Sequence, residues 1–288
     1  MRAPLRAAAA AVLLAAAPTI AQAAPAMWEV SDGDSKVWLF GSMHEVLPDT
    51  NWRTPLLDEK LKAAERVYFE ADVGPLGMLG ILIWGVKAAF ATQQNPWLPT
   101  LTPAQTAQLS AAVTPLGMTL EQVGTYEPWL ASAMISEKAT TGDGGRLVMG
   151  PDVVLENELP KERKAYFETA VAQMRMMSSL PRQQQITSLF ASLPDLGKQT
   201  GTFATMAGQW ASGDIEALGA ALKADPTMDQ TFEQTMLFDR DAAWAITIED
   251  LLRDNHNDLV VVGAAHLIGD NSVIDLLGKA GFTVQRIQ

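Results

Sequence analysis

The sequence predicts an α/β fold in which helices surround a central, mixed and partly parallel β-sheet. Two observations support this fold class. The chain ends with a strand, a helix and a strand, and an apolar strand followed by Gly-x-x-His occurs twice. A long helical pattern separates the early strands from the late ones and contains no Pro/Ser-rich linker. We therefore expect one domain over residues 24–288 that carries a helical insertion.

The first elements follow from short periodic runs. Residues 28–31 and 36–40 flank a polar turn at 32–35 and predict an opening β-hairpin. Apolar residues on one face predict a helix over 54–65. A β-rich run at 66–69 then predicts a strand that ends just before Glu70 and Asp72.

Helical patterns dominate the middle of the chain. The apolar run 76–91 is too short for a confident membrane span, so it predicts a buried or groove-lining helix. The alternative is a mobile lid or a surface that touches an apolar substrate. Helix signals also begin at Thr102-Pro103 and cover 127–138. A brief strand at 165–167 precedes Glu168, and helices are predicted over 173–222 and 230–253.

The C-terminal segment is the most regular part of the sequence. It contains a continuous apolar strand at 258–262, a helix over 271–280 that ends at Gly281, and an alternating strand at 282–287. A strand, a helix and a strand of these lengths favour a parallel pair with a right-handed crossover.

The N-terminus predicts export. Arg2 and Arg6 precede an Ala/Leu/Val run, and Ala21-Gln22-Ala23 is a small-residue cleavage site, so residues 1–23 are expected to be a signal peptide cleaved after Ala23. The mature protein is then periplasmic or secreted, and we expect no stable membrane anchor in it. The absence of Cys excludes disulfides and thiolate metal sites, and the net charge of −12 disfavours nucleic acid as a partner.

Two of the three histidines occupy the same local pattern. His44 and His266 each follow an apolar strand and the sequence Gly-x-x, so each imidazole should lie just beyond the carboxyl end of its strand. Ligands bind at that edge in open α/β sheets. If the strand that ends near Glu70 lies beside the first Gly-x-x-His strand, Glu70 reaches the same edge. His256, in a polar loop, is expected to be solvated.

Two imidazoles and one carboxylate are a suitable ligand set for a divalent transition metal with open positions for water. We therefore expect His44, His266 and Glu70 to hold the metal, and Glu45, Asp72 or Glu168 to act as the proton shuttle. The alternatives are that the histidines are structural hydrogen-bonding groups and that Glu70 caps the following helix.

The chain resembles the TraB/GumN family, which includes the Tiki proteases and is related to the erythromycin esterase and ChaN haem-binding proteins. The resemblance extends from Met27 to Ile287 and is most specific over 261–269, in the sequence Val-Val-Gly-Ala-Ala-His-Leu-Ile-Gly. Other similar segments are Leu39-Phe40-Gly41-Ser42-Met43-His44, Phe69-Glu70-Ala71-Asp72, Gly150-Pro151-Asp152, Phe167-Glu168-Thr169 with Gln173, and Trp210 with Gly213-Asp214.

The resemblance implies divalent-metal-dependent peptide cleavage, with Mn or Co held by His44, His266 and Glu70. Zn is a further candidate for this set of ligands. The resemblance also implies that Arg240 stabilises charge or orients Glu70 and that Glu168 is a secondary acid. Asp241 stands where the family usually has Asn. The resulting hypothesis is an exported metal-dependent hydrolase acting on a peptide or another small envelope substrate. The alternatives are a non-catalytic envelope protein that binds haem or a glycan, associated with polysaccharide biosynthesis, and a degenerate scaffold.

Overall fold

The computed structural model describes residues 23–72, 74–141 and 146–288. The predicted signal peptide lies outside these residues apart from Ala23. The strands are β1 Met27–Ser31, β2 Lys36–Ser42, β3 Glu45–Val46, β4 Val67–Asp72, β5 Val148–Met149, β6 Lys164–Thr169, β7 Asn257–Gly263 and β8 Thr283–Arg286.

The helices include a helical insertion between β4 and β7, as the sequence predicts. They are α1 Pro55–Ala63, α2 Pro75–Gln94, α3 Pro103–Val113, α4 Leu120–Gly124, α5 Pro128–Thr141, α6 Pro151–Glu158, α7 Ala170–Ser179, α8 Arg182–Ser192, α9 Gln199–Ser212, α10 Ile215–Lys223, α11 Gln230–Glu233, α12 Asp239–Arg253 and α13 Val273–Lys279. A π-helical turn, Gln234–Phe238, joins α11 to α12, so the helix predicted over 230–253 is interrupted.

Six strands form one mixed sheet in the order β6-β4-β7-β2-β1-β8, which confirms the predicted fold class. The neighbours β6, β4, β7 and β2 are all parallel, whereas β1 is antiparallel to both β2 and β8. The two Gly-x-x-His strands, β2 and β7, are direct neighbours, with Ser42 opposite Gly263. Both motifs therefore end at one edge of the sheet.

Two details of the predicted topology are wrong. β8 does not pair with β7, because β2 and β1 lie between them and β8 pairs with β1 instead. The Glu70 strand, β4, lies beside the second Gly-x-x-His strand, β7, and not beside the first. Glu70 and Glu168 also lie within β4 and β6 rather than after them. Hydrophobic periodicity indicates where a strand lies in the sequence, but it does not indicate which strands are neighbours in the sheet.

Alternating residues of the strands build a core on each face of the sheet. One face packs Leu39, Tyr68 and Val260 against Trp244 and Ile248 of α12. The other face packs residues of the same three strands, including Phe40, Phe69 and Val261, against α1, α6, α9 and α10. A third cluster, which contains Trp97 and Leu109, lies within the helical insertion. The sheet is therefore held on both sides, which fixes the positions of the side chains at its edge.

Helix α2 was predicted to be buried or to line a groove, and it is only partly buried. One face packs closely on α7, where a Cβ at Gly80 would meet Val171. The opposite face is about half exposed or more at Met78, Leu79, Leu82, Ile83, Val86 and Phe90. Among the described residues, no helix is long and apolar enough to cross a membrane.

Candidate functional site

The centre of the candidate site is Arg240, a buried arginine on α12. Its Nη2 donates to Glu70 Oε2 at 2.7 Å, and its Nε donates to Glu168 Oε1 at 2.9 Å. Its Nη1 donates to the carbonyl of Met236 and to Nε2 of His266, each at 3.0 Å. These contacts use four of the five guanidinium N–H groups, so one N–H of Nη2 has no partner in the described part of the chain. Arg240 therefore joins three of the predicted site residues.

Glu70 is fixed by its neighbours on both sides. The backbone N–H of Gly263 donates to its Oε1 at 2.7 Å, and Gln173 donates to its Oε2 at 3.3 Å. Burial raises the pKa of Glu70, but the positive charge of Arg240 and the hydrogen bond from the N–H of Gly263 lower it, and the pKa lies below its ordinary value. Glu70 is thus a carboxylate at any physiological pH. Its hydrogen bonds show that it joins strand β4 to the turn that carries His266.

His266 is almost fully buried, and its two ring nitrogens have different partners. An arginine can only donate, so Nε2 of His266 accepts from Arg240 and Nδ1 carries the proton. Nδ1 donates to Asp241 Oδ1 at 2.6 Å, and the Trp244 ring lies against the imidazole at 4.5 Å between centroids. Burial raises the pKa of Asp241. Asp241, the residue that differs from the usual Asn, is therefore a direct hydrogen-bond partner of His266.

His44 differs from His266 because 67% of its side chain is exposed, against 5% for His266. Its Nδ1 lies 2.5 Å from Asp152 Oδ2. The hydrogen bond to Asp152 raises the pKa of His44 to about 9, and the charges of Glu70 and Arg240 also act on it, the first raising and the second lowering it. Because Ser42 lies opposite Gly263, His44 lies at the same edge of the sheet as the Arg240 network, and its ring is exposed to solvent.

Gly150 allows Asp152 to reach His44. The N–H of Gly150 donates to the carbonyl of His44 at 2.7 Å, and Asp152 lies in the first turn of α6, which begins immediately after Gly150. A Cβ at Gly150 would overlap with the carbonyl groups of Met43 and His44. The backbone of β2 and the start of α6 therefore meet only because this residue has no side chain.

The predicted residues meet at one edge of the sheet, with some exceptions. Arg240 contacts His266, Glu70 and Glu168, and His44 follows the neighbouring strand β2 at the same edge. Glu45 is exposed on β3 and Asp72 accepts from the N–H of Gly74, and neither hydrogen-bonds to these residues in the described part of the chain. His256, which was expected to be solvated, is partly exposed and pairs with Glu65.

Sequence reasoning did not assign a role to Asp152, Asp241, Gln173 or Trp244. The segments that contain Asp152 and Gln173 are among those that resemble the family, but this resemblance does not state what either residue contacts. One oxygen each of Asp152 and Glu168, Oδ1 and Oε2, is buried without a hydrogen-bond partner among the described residues. Both atoms are free acceptors within the site.

The side chains as arranged do not form the predicted metal centre. Among the described residues, no group of three or more His, Cys, Asp or Glu side chains could hold a metal ion. Arg240 donates to Nε2 of His266 and to Oε2 of Glu70, so two of the expected ligand atoms already have a cationic partner. Metal binding by His44, His266 and Glu70 therefore stays a prediction.

The fold and the site together define a mixed α/β protein with a His, Arg and carboxylate network at the carboxyl edge of its parallel strands. The family model that matches the chain is that of the TraB/PrgY/gumN family, over residues 26–286. Because this match covers nearly the whole chain, the protein belongs to the TraB/PrgY/gumN family. No curated protein and no solved structure matches the chain.

Proposed function

We propose that this member of the TraB/PrgY/gumN family is an exported hydrolase. It cleaves peptide bonds or similar bonds between a carbonyl carbon and a leaving nitrogen or oxygen. The observation that supports this proposal is the pairing of the exposed His44 with Asp152 beside the buried Arg240 network. A histidine held by a carboxylate is a suitable general base, because the carboxylate orients the ring and stabilises the imidazolium that forms.

In the proposed reaction, neutral His44 accepts a proton from a water molecule through its exposed ring nitrogen. The hydroxide adds to the substrate carbonyl carbon, and the free Nη2 N–H of Arg240 donates to the oxygen on which negative charge develops. The bond to the leaving nitrogen or oxygen then breaks, and His44 returns the proton to that atom. Glu70, Glu168 and His266 hold the guanidinium in position.

The test uses the purified protein and a peptide library analysed by mass spectrometry. We expect His44→Gln to lower the rate of cleavage at least 100-fold, because the base is removed. His256→Gln is the matched control, since His256 is also paired with a carboxylate but is outside the network. The control should keep the rate within twofold. Equal rates for His44→Gln and the wild-type protein, or no cleavage by the wild-type protein, would contradict the proposal.

A metal-dependent form of this hydrolase is a second candidate. The observation in its favour is that Nδ1 of both His44 and His266 pairs with a carboxylate, which is the usual arrangement for histidines that bind metal through Nε2. Such binding would require Arg240 to move away from His266. Metal analysis should then find about one Mn, Co or Zn ion per chain that His44→Ala/His266→Ala removes. No bound ion, with unchanged activity in a chelator, would exclude this form.

The non-catalytic alternative predicts binding without turnover. Haem binding would give a Soret band that is lost when either His44 or His266 is replaced, and no band after reconstitution would remove this version. Glycan binding has no comparable spectroscopic signal. It would remain as an alternative only if no hydrolysis is found.

A further inference from the structure

The helical insertion carries a cavity of about 670 Å³ that is outside the Arg240 network. Its walls come from α5, α7, α8, α9, α10 and α11 and from the segments between them. The cavity is open to solvent, because Ala133 and Thr202 in its lining are exposed. Its volume is within the range of small-molecule binding sites. This cavity is therefore the size of a ligand site.

Small residues at helical spacing create the space. On α5, Ser132, Ala133 and Ser136 lie on one face, and on α8 Ser188 and Ser192 face them. Hydroxyls on these walls have partners inside the protein: Ser192 donates to the carbonyl of Leu189 at 2.8 Å and lies 3.4 Å from Ser132 Oγ. The hydroxyl of Ser192 thus does not require a polar ligand, and the opposite walls carry aromatic rings, including those of Phe203 and Phe232.

The charge of the lining restricts the occupant further. Among the described residues that line the cavity, Asp225 alone is charged, and its Oδ1 accepts from both the N–H and the hydroxyl of Thr227. The described lining contains no Lys, Arg or His that could pair with an anion. An anion would therefore lose hydration without gaining a partner, and the aromatic and methionine side chains of the lining favour an uncharged apolar group.

Two helical segments connect the cavity with the candidate site. On α7, Gln173 donates to Glu70, and Met177, one turn later on the same face, lines the cavity. Phe232 lines the cavity as well, and the carbonyl of Met236, one turn further along, accepts from Arg240. The cavity thus begins about one helical turn from the residues that hold Glu70 and Arg240.

We propose that this cavity binds an uncharged apolar chain of the substrate, while the carbonyl group that is cleaved lies at Arg240 and His44. The assignment of the carbonyl rests on the proposed function, whereas the affinity of the cavity for an apolar chain does not. The chain has two chemical sources, a fatty acyl group or a large apolar amino-acid side chain next to the cleaved bond. Both present the same surface to the cavity.

Binding is tested with the neutral fluorescent probe N-phenyl-1-naphthylamine and the full chain. Ser188→Phe and Ala221→Phe fill the cavity from opposite walls, and Thr187→Phe places the same ring on the exposed side of α8. We expect each filling variant to weaken probe binding at least tenfold, with Thr187→Phe within twofold of the wild-type protein. His44→Gln should leave probe binding unchanged. Absence of probe binding by the wild-type protein, or equal binding by all variants, would overturn the proposal.

Two substrate series distinguish the sources of the chain. One series contains p-nitrophenyl esters from acetate to dodecanoate, and the other contains peptide p-nitroanilides with Ala, Leu or Phe before the cleaved bond. We expect kcat/KM to rise at least tenfold with apolar size in one series and Ser188→Phe to remove this rise. Cleavage without any size preference in both series would overturn the assignment. If nothing is cleaved but the probe binds as expected, the proposed function fails and the cavity remains a ligand site.

Discussion

Nη1 of Arg240 lies 3.0 Å from Nε2 of His266, and this contact determines the tautomer of the imidazole. Because the guanidinium has only donors, the ring must accept at Nε2 and donate from Nδ1 to Asp241. Arg240 and His266 are adjacent at the site although 26 positions separate them in the sequence. Substitutions of Arg240 and Asp241, the two hydrogen-bond partners of His266, therefore test the geometry of the site.

Asp241 should be replaceable by an acceptor but not by an apolar group. In Asp241→Asn the amide oxygen can accept from Nδ1 of His266, so we expect hydrolysis within about fivefold of the wild-type rate. Asp241→Leu has a similar shape but no acceptor, and it should lose activity at least 100-fold. Kinetic comparison of the two variants checks this prediction. Equal loss of activity in both variants would show that the negative charge of Asp241 matters, and not its ability to accept a hydrogen bond.

Removing Arg240 should affect both stability and activity. Arg240→Met leaves Glu70 and Glu168 in a largely buried site without their cation, and breaking a buried ion pair in this way costs about 3–5 kcal/mol. We expect a lower urea midpoint and no measurable hydrolysis. Arg53→Met is the control, because its ion pairs with Asp58 and Glu158 are at the surface, where pairs contribute about 0–1 kcal/mol. A destabilisation no larger than that of Arg53→Met would contradict the central role of Arg240.

The rate of hydrolysis should rise with pH. His44 is mostly protonated below its pKa of about 9 and acts as a base only when neutral, so kcat/KM should increase up to about pH 9. Asp152→Asn removes the main cause of the raised pKa, and the inflection should then move towards 6.5. NMR titration of the three histidines measures the same pKa directly. An inflection that does not move would exclude His44 as the titrating base.

The His44 and Asp152 pair should also make stability depend on pH. A pKa that is raised in the folded protein contributes stability fully below about pH 6.5, and this contribution is lost as the pH rises through about 9. The difference in urea midpoint between the wild-type protein and Asp152→Asn should therefore be larger at pH 6 than at pH 9.5. The exposure of His44 makes this difference small, because solvent screens the pair.

Gly150 should not tolerate a side chain. Gly150→Ala would force the start of α6 away from the end of β2, which separates Asp152 from His44. We expect at least a tenfold loss of kcat/KM and a lower pKa of His44. The control is Gly85→Ala in helix α2, where nothing lies within 4 Å of the added Cβ, and it should increase stability by about 0.5–1 kcal/mol. Full activity in Gly150→Ala would show that the two backbones need not be in contact.

A large part of this site is predicted from the sequence, because the strand patterns indicate which side chains lie at the ends of strands. An apolar strand followed by Gly-x-x-His places both His44 and His266 beyond the ends of strands, and β2 and β7 are indeed neighbours. The strand pattern also indicates Glu70 and Glu168, and family resemblance adds Arg240, which contacts both carboxylates. The pairing of His44 with Asp152 was not predicted, because it depends on a close backbone contact between residues more than 100 positions apart.

Helix α2 illustrates a second limit of sequence reasoning. Its apolar composition is the same whether the helix is covered or not, and only the packing on α7 shows which face is buried. The hydrophobic pattern also did not show that the small residues of α5 and α8 line a cavity, since Ser and Ala at helical spacing are equally common at close helix contacts.

The strand order has a consequence for how the polypeptide acquires its structure. Strand β7 lies between β2 and β4 in the sheet, yet it is synthesised after both of them. Until residues 257–263 are made, the early hairpin and the β4–β6 pair have no shared partner. Contacts this distant in sequence slow folding, and the parallel strands of a nascent chain cannot form one sheet before β7 has been synthesised.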